Sequence, residues 1–316
     1  MEEINRIIET DLNEIGIQDF AIFHYLYRMI NIILKENLPR KEKKYKKKIP
    51  LKKNIEYTSM FLDYLNPSYR EHFMKALENN RIEFEKNYEA NDRIACSDIR
   101  NHESYIYIPY ENTLKDTYTI THEVIHDISI AEEISEARNF FCEVFSLLSE
   151  KLQKDYIKRY VACKENNINE INILYYLRLK TICTKFELDL VAEYLNKGYL
   201  TEMDIINLIV CSGNENVKLL CDHVNYILDK KELLLFIEQR YMVGYLIACY
   251  MHDRILDDPK KKLEFIELND NINEYTESDF LEYLDLGFSD DYYFNFNEDT
   301  YKKLEKAYHH EIKRIG

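Results

Sequence analysis

The chain has 316 residues, enough for one large or two modest domains with a substantial core, so no stability argument calls for disulfides. Fifty-seven acidic residues against 42 basic ones give a net charge of −15, which argues against general nucleic-acid binding. Seven cysteines, at positions 96, 142, 163, 183, 211, 221 and 249, lack CxxC spacing and read as thiols of a reducing compartment, neither a secreted framework nor a thiolate zinc site.

Six glycines and five prolines leave few places for tight turns. Apolar residues three and four apart over Phe20 to Leu34, Tyr69 to Tyr88, Ile173 to Leu195, Leu233 to Leu256 and Thr300 to Ile315 predict a mainly α fold. Residues 1 to 38 read as two helices, closed by Asn37-Leu38-Pro39. Met1 to Arg6 lacks the basic-then-apolar pattern of a signal peptide, and no run of eighteen apolar residues occurs, so the reading is a soluble cytoplasmic protein without a membrane partner.

A basic island, Arg40-Lys41-Glu42-Lys43-Lys44-Tyr45-Lys46-Lys47-Lys48, precedes Pro50 and marks a boundary. It divides N-terminal helices and linker (1–50) from a second domain (51–316). The island reads as a solvated linker, with a docking patch for an acidic partner as the alternative. Asn66-Pro67-Ser68 then starts a helix that runs to about Tyr88, with Pro67 where its missing N–H costs nothing. Ile94 to Ser97 and Ser104 to Ile108 are the β segments, the second stopped by Pro109. A hairpin there leaves one edge free for an extended peptide, which makes Tyr105, Ile106 and Tyr107 candidate substrate-binding residues.

Asn112-Thr113-Leu114-Lys115-Asp116 opens the next helix, which carries His122-Glu123-Val124-Ile125-His126. Positions i and i+4 share a helix face, so both imidazoles can bind one metal while Glu123 flanks the water it holds. A catalytic zinc takes three protein ligands and keeps a position open. Glu143, seventeen residues beyond His126 in the helical stretch Phe141 to Glu150, supplies the third if two antiparallel helices bring it back. Glu136 and Glu150 are its rivals.

The order of these elements resembles the oligoendopeptidase F and thimet oligopeptidase family of zinc metallopeptidases. Ser104 to His126 is similar to the family's strand, turn and metal helix. Phe141-Cys142-Glu143 followed by Ser146 and Glu150 resembles its helix bearing the third ligand. Tyr241-Met242-Val243-Gly244-Tyr245, Ala248, Ile255 to Pro259, Leu281 to Leu284 and Gly287-Phe288-Ser289 are similar to its C-terminal helices. The resemblance covers roughly residues 50 to 310.

It implies a helical zincin-like catalytic domain with a small β-hairpin or sheet beside the metal helix. One Zn2+ ion would sit on His122, His126 and Glu143, with Glu123 as general base. Tyr241, or failing it Tyr245, would donate to the oxyanion. Glu150 and Asp116 are expected behind the ligands, orienting them. His252 is a further residue that could face the cleft. The implied activity is internal cleavage of short peptides; the alternative is a catalytically weak peptide-binding or regulatory metalloprotein with one dedicated partner.

The chain also departs from the family. Ile125 stands where glycine is usual, the loop from His126 to Glu143 is several residues shorter, and the large N-terminal helical region is reduced to at most residues 1 to 50. The family's substrate-binding histidine, some ten residues before the tyrosine, is replaced by Lys230-Lys231-Glu232-Leu233. These departures predict a more open cleft and weaker alignment of the oxyanion.

Overall fold

The computed structural model describes residues 2–15, 24–86, 96–100, 103–129, 136–161, 165–274, 277–287 and 296–315. In chain order the elements are α1 (Glu2–Ile15), α2 (His24–Leu34), α3 (Leu51–Leu65) and α4 (Pro67–Glu78), then β1 (Ile82–Lys86), β2 (Cys96–Arg100) and β3 (Glu103–Tyr110). Next come α5 (Leu114–Ser129), α6 (Glu136–Tyr156) with a π-helical turn after it (Ile157–Val161), α7 (Asn166–Lys197), α8 (Glu202–Cys211) and α9 (Val217–Lys230). The last are α10 (Leu235–Asp257), α11 (Lys261–Asp270), α12 (Glu277–Tyr283) and α13 (Glu298–Ile315). The fold is mainly α with one small sheet. No helix of the described residues is long and apolar enough to cross a membrane.

The chain divides into two compact units, one of residues 1–40, 174–243 and 287–305, the other of residues 41–173, 244–286 and 306–316. In the first, Asn5 clasps Leu200, accepting from its N–H at 2.7 Å and donating to its carbonyl at 3.0 Å. Thr201 and Asp204 form a reciprocal capping box at the start of α8. The buried Glu187 carboxylate accepts from His223 and from the N–H groups of Leu234 and Leu235, so it satisfies donors exposed at the start of α10.

In the second unit, Asn66 caps α4 by accepting from the Ser68 N–H, with Pro67 at the first helical position. This helix ends at Glu78, not near Tyr88. Asn80 adopts the left-handed conformation (φ 54°), and the N–H groups of Arg81 and Asn80 fold back onto Ala76 and Leu77. That is a Schellman stop, with Asn in the place glycine usually takes. The residues read as the helix's last turn become β1 instead, because Ile82 and Phe84 alternate with Glu83 and Glu85.

That strand changes the sheet. Its order is β1-β3-β2: β3 is parallel to β1 (Ile82 opposite Ile106, Phe84 opposite Ile108) and antiparallel to β2 (Cys96 opposite Tyr107, Asp98 opposite Tyr105). The expected free edge on β3 is therefore taken by β1, and the edge strands are β1 on that side and β2 on the other. Ile94 and Ala95, read as part of β2, lie outside the described residues. Ile106 and Ile108 point into the core while Tyr105 and Tyr107 are half-buried on the opposite face.

Residues 41–50 are a strap whose main chain is bound. The Lys43 N–H and carbonyl both pair with the Asn172 amide (2.8 and 2.9 Å), and the N–H groups of Lys46 and Lys47 donate to Glu165. The lysine side chains stay exposed while the main chain between them is bound. Just beyond, Ile49 joins Leu114 and Tyr118 in a small core cluster under the start of α5.

Candidate metal centre

Helix α5 begins with Asn112 at positive φ (57°) and a buried Asp116 in its first turn. One Asp116 oxygen accepts from the Glu111 N–H (2.9 Å), the other from the Thr113 N–H (3.1 Å) and the Asn54 amide (3.0 Å). Burial raises its pKa against the pull of those backbone donors. Asp116 was expected to orient a metal ligand; instead both of its oxygens fix the start of α5, six residues before His122.

From that start, α5 presents His122 and His126 on one face, one turn apart. Helix α6 runs back alongside it: Glu143 lies opposite His126, Ser146 donates to the His122 carbonyl (3.2 Å), and Gln153 donates to Thr121 (2.6 Å). The connecting residues 130–135 lie outside the described residues, as does the side chain of Glu136.

Three side chains converge. The His122 and His126 Nε2 atoms are 3.0 Å apart, and the Glu143 oxygens stand 3.7 Å from the first and 3.6 Å from the second. Among the described residues these form a group whose donor atoms all lie within 4.8 Å of one another. A tetrahedral ion with bonds of about 2.0–2.1 Å separates its ligand atoms by roughly 3.3 Å, so two imidazoles and a carboxylate at this spacing fit a zinc-type cation.

The tautomer agrees with that fit. His122 Nδ1–H donates to Glu150 at 2.7 Å, which leaves its Nε2 lone pair directed at His126 and Glu143. The other Glu150 oxygen accepts from the Asn169 amide at 2.8 Å. Without an ion, burial opposes a charge on His122, but the bond to Glu150 and the nearby Glu143 and Glu123 outweigh it and lift its pKa to about 10, so Nε2 then carries a proton that a bound cation would displace. Glu123 is itself buried, and that burial pushes its carboxyl pKa up against the pull of the two histidines. The pocket is a negative environment that favours a cation.

The two tyrosines of α10 differ. Tyr245 is 1% exposed; its hydroxyl donates to Glu170 at 2.8 Å and its ring lies 4.0 Å from the Lys151 ammonium. A hydroxyl held there is not available to an oxyanion, which corrects its candidacy. Tyr241 belongs to the other compact unit, where the Lys180 ammonium stands over its ring at 4.7 Å.

Around Tyr245 lies a set of residues that no local pattern announced. Lys151 (1% exposed) bonds to Glu170 at 2.6 Å, and Lys154 bonds to Glu311 at 3.0 Å. His252, which the sequence left free to face the cleft, is buried between Asp155 (2.9 Å) and Glu311 (3.2 Å). These groups tie α6, α7, α10 and α13 together by charge in the middle of the unit. Asn169 was also unforeseen, since one asparagine among many in this chain carries no signal.

No family model and no curated protein matches the sequence. Solved structures do match. A PZ peptidase A solved with an inhibitor superposes with a TM-score of 0.64 at 11% identity, over 99% of this chain and 58% of that one. A protein assigned as oligoendopeptidase F gives 0.66 at 13%, over 98% and 60%. Another so assigned, from Bacillus anthracis str. Ames, gives 0.57 at 15%, over 100% and 57%. The fold is that of oligoendopeptidase F and related peptidases, and the chain spans 57 to 60% of the length of these three.

Proposed function

We propose that the chain is a zinc-dependent endopeptidase acting on short peptides. The observation that carries this reading is the convergence of His122, His126 and Glu143, with Glu150 fixing the tautomer of His122. When bound, a zinc ion supplies Lewis acidity, polarising a peptide carbonyl and bringing the pKa of water toward ~7.

The rest is done by the chain. His122, His126 and Glu143 would hold the ion. Glu123 takes the proton of the attacking water and delivers it to the departing amine, a role that needs a carboxylate beside the ion but not bound to it. Tyr241 donates a hydrogen bond to the carbonyl oxygen as it gains negative charge. An extended substrate would pair by its main chain with the edge strand β2, not with the enclosed β3, so Tyr105, Ile106 and Tyr107 act by supporting that edge.

The test is turnover of a quenched-fluorescent peptide library by the parent chain and by Glu123→Gln. We expect cleavage by the parent and a loss of roughly 10²–10⁴-fold in the variant, with zinc content unchanged. A parent that binds zinc but cleaves nothing would instead favour the reading as a peptide-binding or regulatory metalloprotein.

A further inference from the structure

We propose that Asn169 is a positioning residue for the metal centre, acting through Glu150 on His122, and that Tyr45 holds its amide in the orientation this requires. The inference rests on the metal reading given above. A line of polar contacts runs outward from the centre. His122 Nδ1–H donates to Glu150 (2.7 Å), the Asn169 amide donates to the other Glu150 oxygen (2.8 Å), and the Tyr45 hydroxyl donates to the Asn169 carbonyl oxygen (3.4 Å).

Each link has one workable direction. An ionised carboxylate only accepts, so the Asn169 NH₂ must face Glu150 and its carbonyl must face away. Tyr45 meets that carbonyl with a proton it keeps, because burial, with Tyr118 and Glu150 nearby, pushes its pKa far up. An amide flip would set the carbonyl oxygen against the carboxylate and forfeit both bonds. Glu150 and Asn169 are both about nine-tenths buried, so water does not readily replace either bond.

The strap supplies the outer end. Glu165, Asn169 and Asn172, spaced four and three residues apart, lie on one stripe at the start of α7. Glu165 and Asn172 grip the main chain of the strap through Lys46, Lys47 and Lys43, which places Tyr45 over Asn169. Of the three, Asn169 alone also reaches Glu150 among the described residues. The basic island thereby gains a role that its charge does not suggest: its one tyrosine closes the support of a histidine.

The experiment compares zinc affinity of the full chain, by competition with a chromophoric chelator, for the parent, Asn169→Ala, Asn169→Asp, Tyr45→Phe and Asn172→Ala. Asn169→Ala is expected to weaken zinc binding by roughly 10–100-fold, as loss of an outer partner does. Asn169→Asp, which sets a second carboxylate against Glu150, is expected to be worse, and Tyr45→Phe milder. Asn172→Ala, which loosens the same strap without touching Glu150, is expected to weaken affinity no more than Tyr45→Phe does.

The second readout is the His122 Nδ1–H proton by NMR, protected from exchange in the parent and in Asn172→Ala and lost in Asn169→Ala. Parental affinity and a protected proton in Asn169→Ala would overturn the proposal. So would an equal loss in Asn172→Ala, since the effect would then be general to the strap. If the parent binds no zinc, the metal reading fails by itself, and the proton signal still decides the role of Asn169.

Discussion

Gly244 stands against Glu143: a Cβ placed on it would lie 3.5 Å from the Glu143 Cβ and 3.8 Å from the side chains of Val144 and Leu147. These are ordinary contact distances, so a methyl fits and a larger group does not. Glycine inside a helix costs about 1 kcal/mol relative to alanine. Gly244→Ala should therefore stabilise the chain by up to about 1 kcal/mol in urea with zinc affinity unchanged. Gly244→Leu should press on Glu143 and weaken zinc binding; parental affinity in that variant would argue against Glu143 as a ligand.

The two tyrosines of α10 should separate activity from stability. Tyr241→Phe is expected to lower kcat roughly 10²–10³-fold with unchanged stability, the cost of one oxyanion donor. Tyr245→Phe removes the donor to buried Glu170 and should cost ~1–3 kcal/mol in urea unfolding while kcat stays near parental. The reverse pattern would exchange their assignments.

Lys151 lies between Glu170 (2.6 Å) and Glu311 (3.6 Å); Lys154 reaches both carboxylates, and His252 and Arg314 also reach Glu311. Replacing it with methionine keeps the packing and leaves buried Glu170 with Lys154, at 3.6 Å, as its one ion-pair partner among the described residues. Breaking a buried pair in this way costs about 3–5 kcal/mol. A loss well under that range would show that water or a relaxed geometry compensates the carboxylates.

His252 gives the pH dependence a sign. Burial disfavours its charged form, but Asp155 and Glu311 both accept from the ring and raise its pKa above the ordinary 6.5. A group raised on folding contributes fully below its unfolded value and loses that contribution as pH climbs through the folded one. Glu311 behaves oppositely: burial raises its pKa, but Lys151, His252 and Lys154 overcome this and hold it far below the usual carboxylate range, so its contribution is lost only in strong acid. Urea unfolding of the zinc-loaded chain at about pH 5.5 and 8.5 should show lower stability at the higher pH, and His252→Gln should flatten the difference. Equal slopes in parent and variant would remove His252 from the account.

Much of the fold was legible because its signals are local. Periodicity marked the long helices, Pro67 behind Asn66 marked the start of α4, and the i, i+4 histidines marked the face of α5. The misreadings have equally local causes. Asn80 stops α4 in a left-handed turn that asparagine announces less plainly than glycine, so β1 was absorbed into a helix and the edge of the sheet was placed on the wrong strand. Asp116 carries the residue type of a supporting carboxylate, yet its position in the first turn of α5 makes it a cap. What sequence could not express is long-range partnership. Tyr45 with Asn169, Lys151 with Glu170 and His252 with Glu311 are 124, 19 and 59 residues apart, and no spacing rule links them.

The most direct test of the central claim is the zinc content of the purified chain, measured by mass spectrometry of the metal, beside that of His126→Ala. The account predicts close to one zinc per parent chain and almost none in the variant. A parent purified and dialysed against zinc that retains none, or a variant that retains as much as the parent, would contradict it.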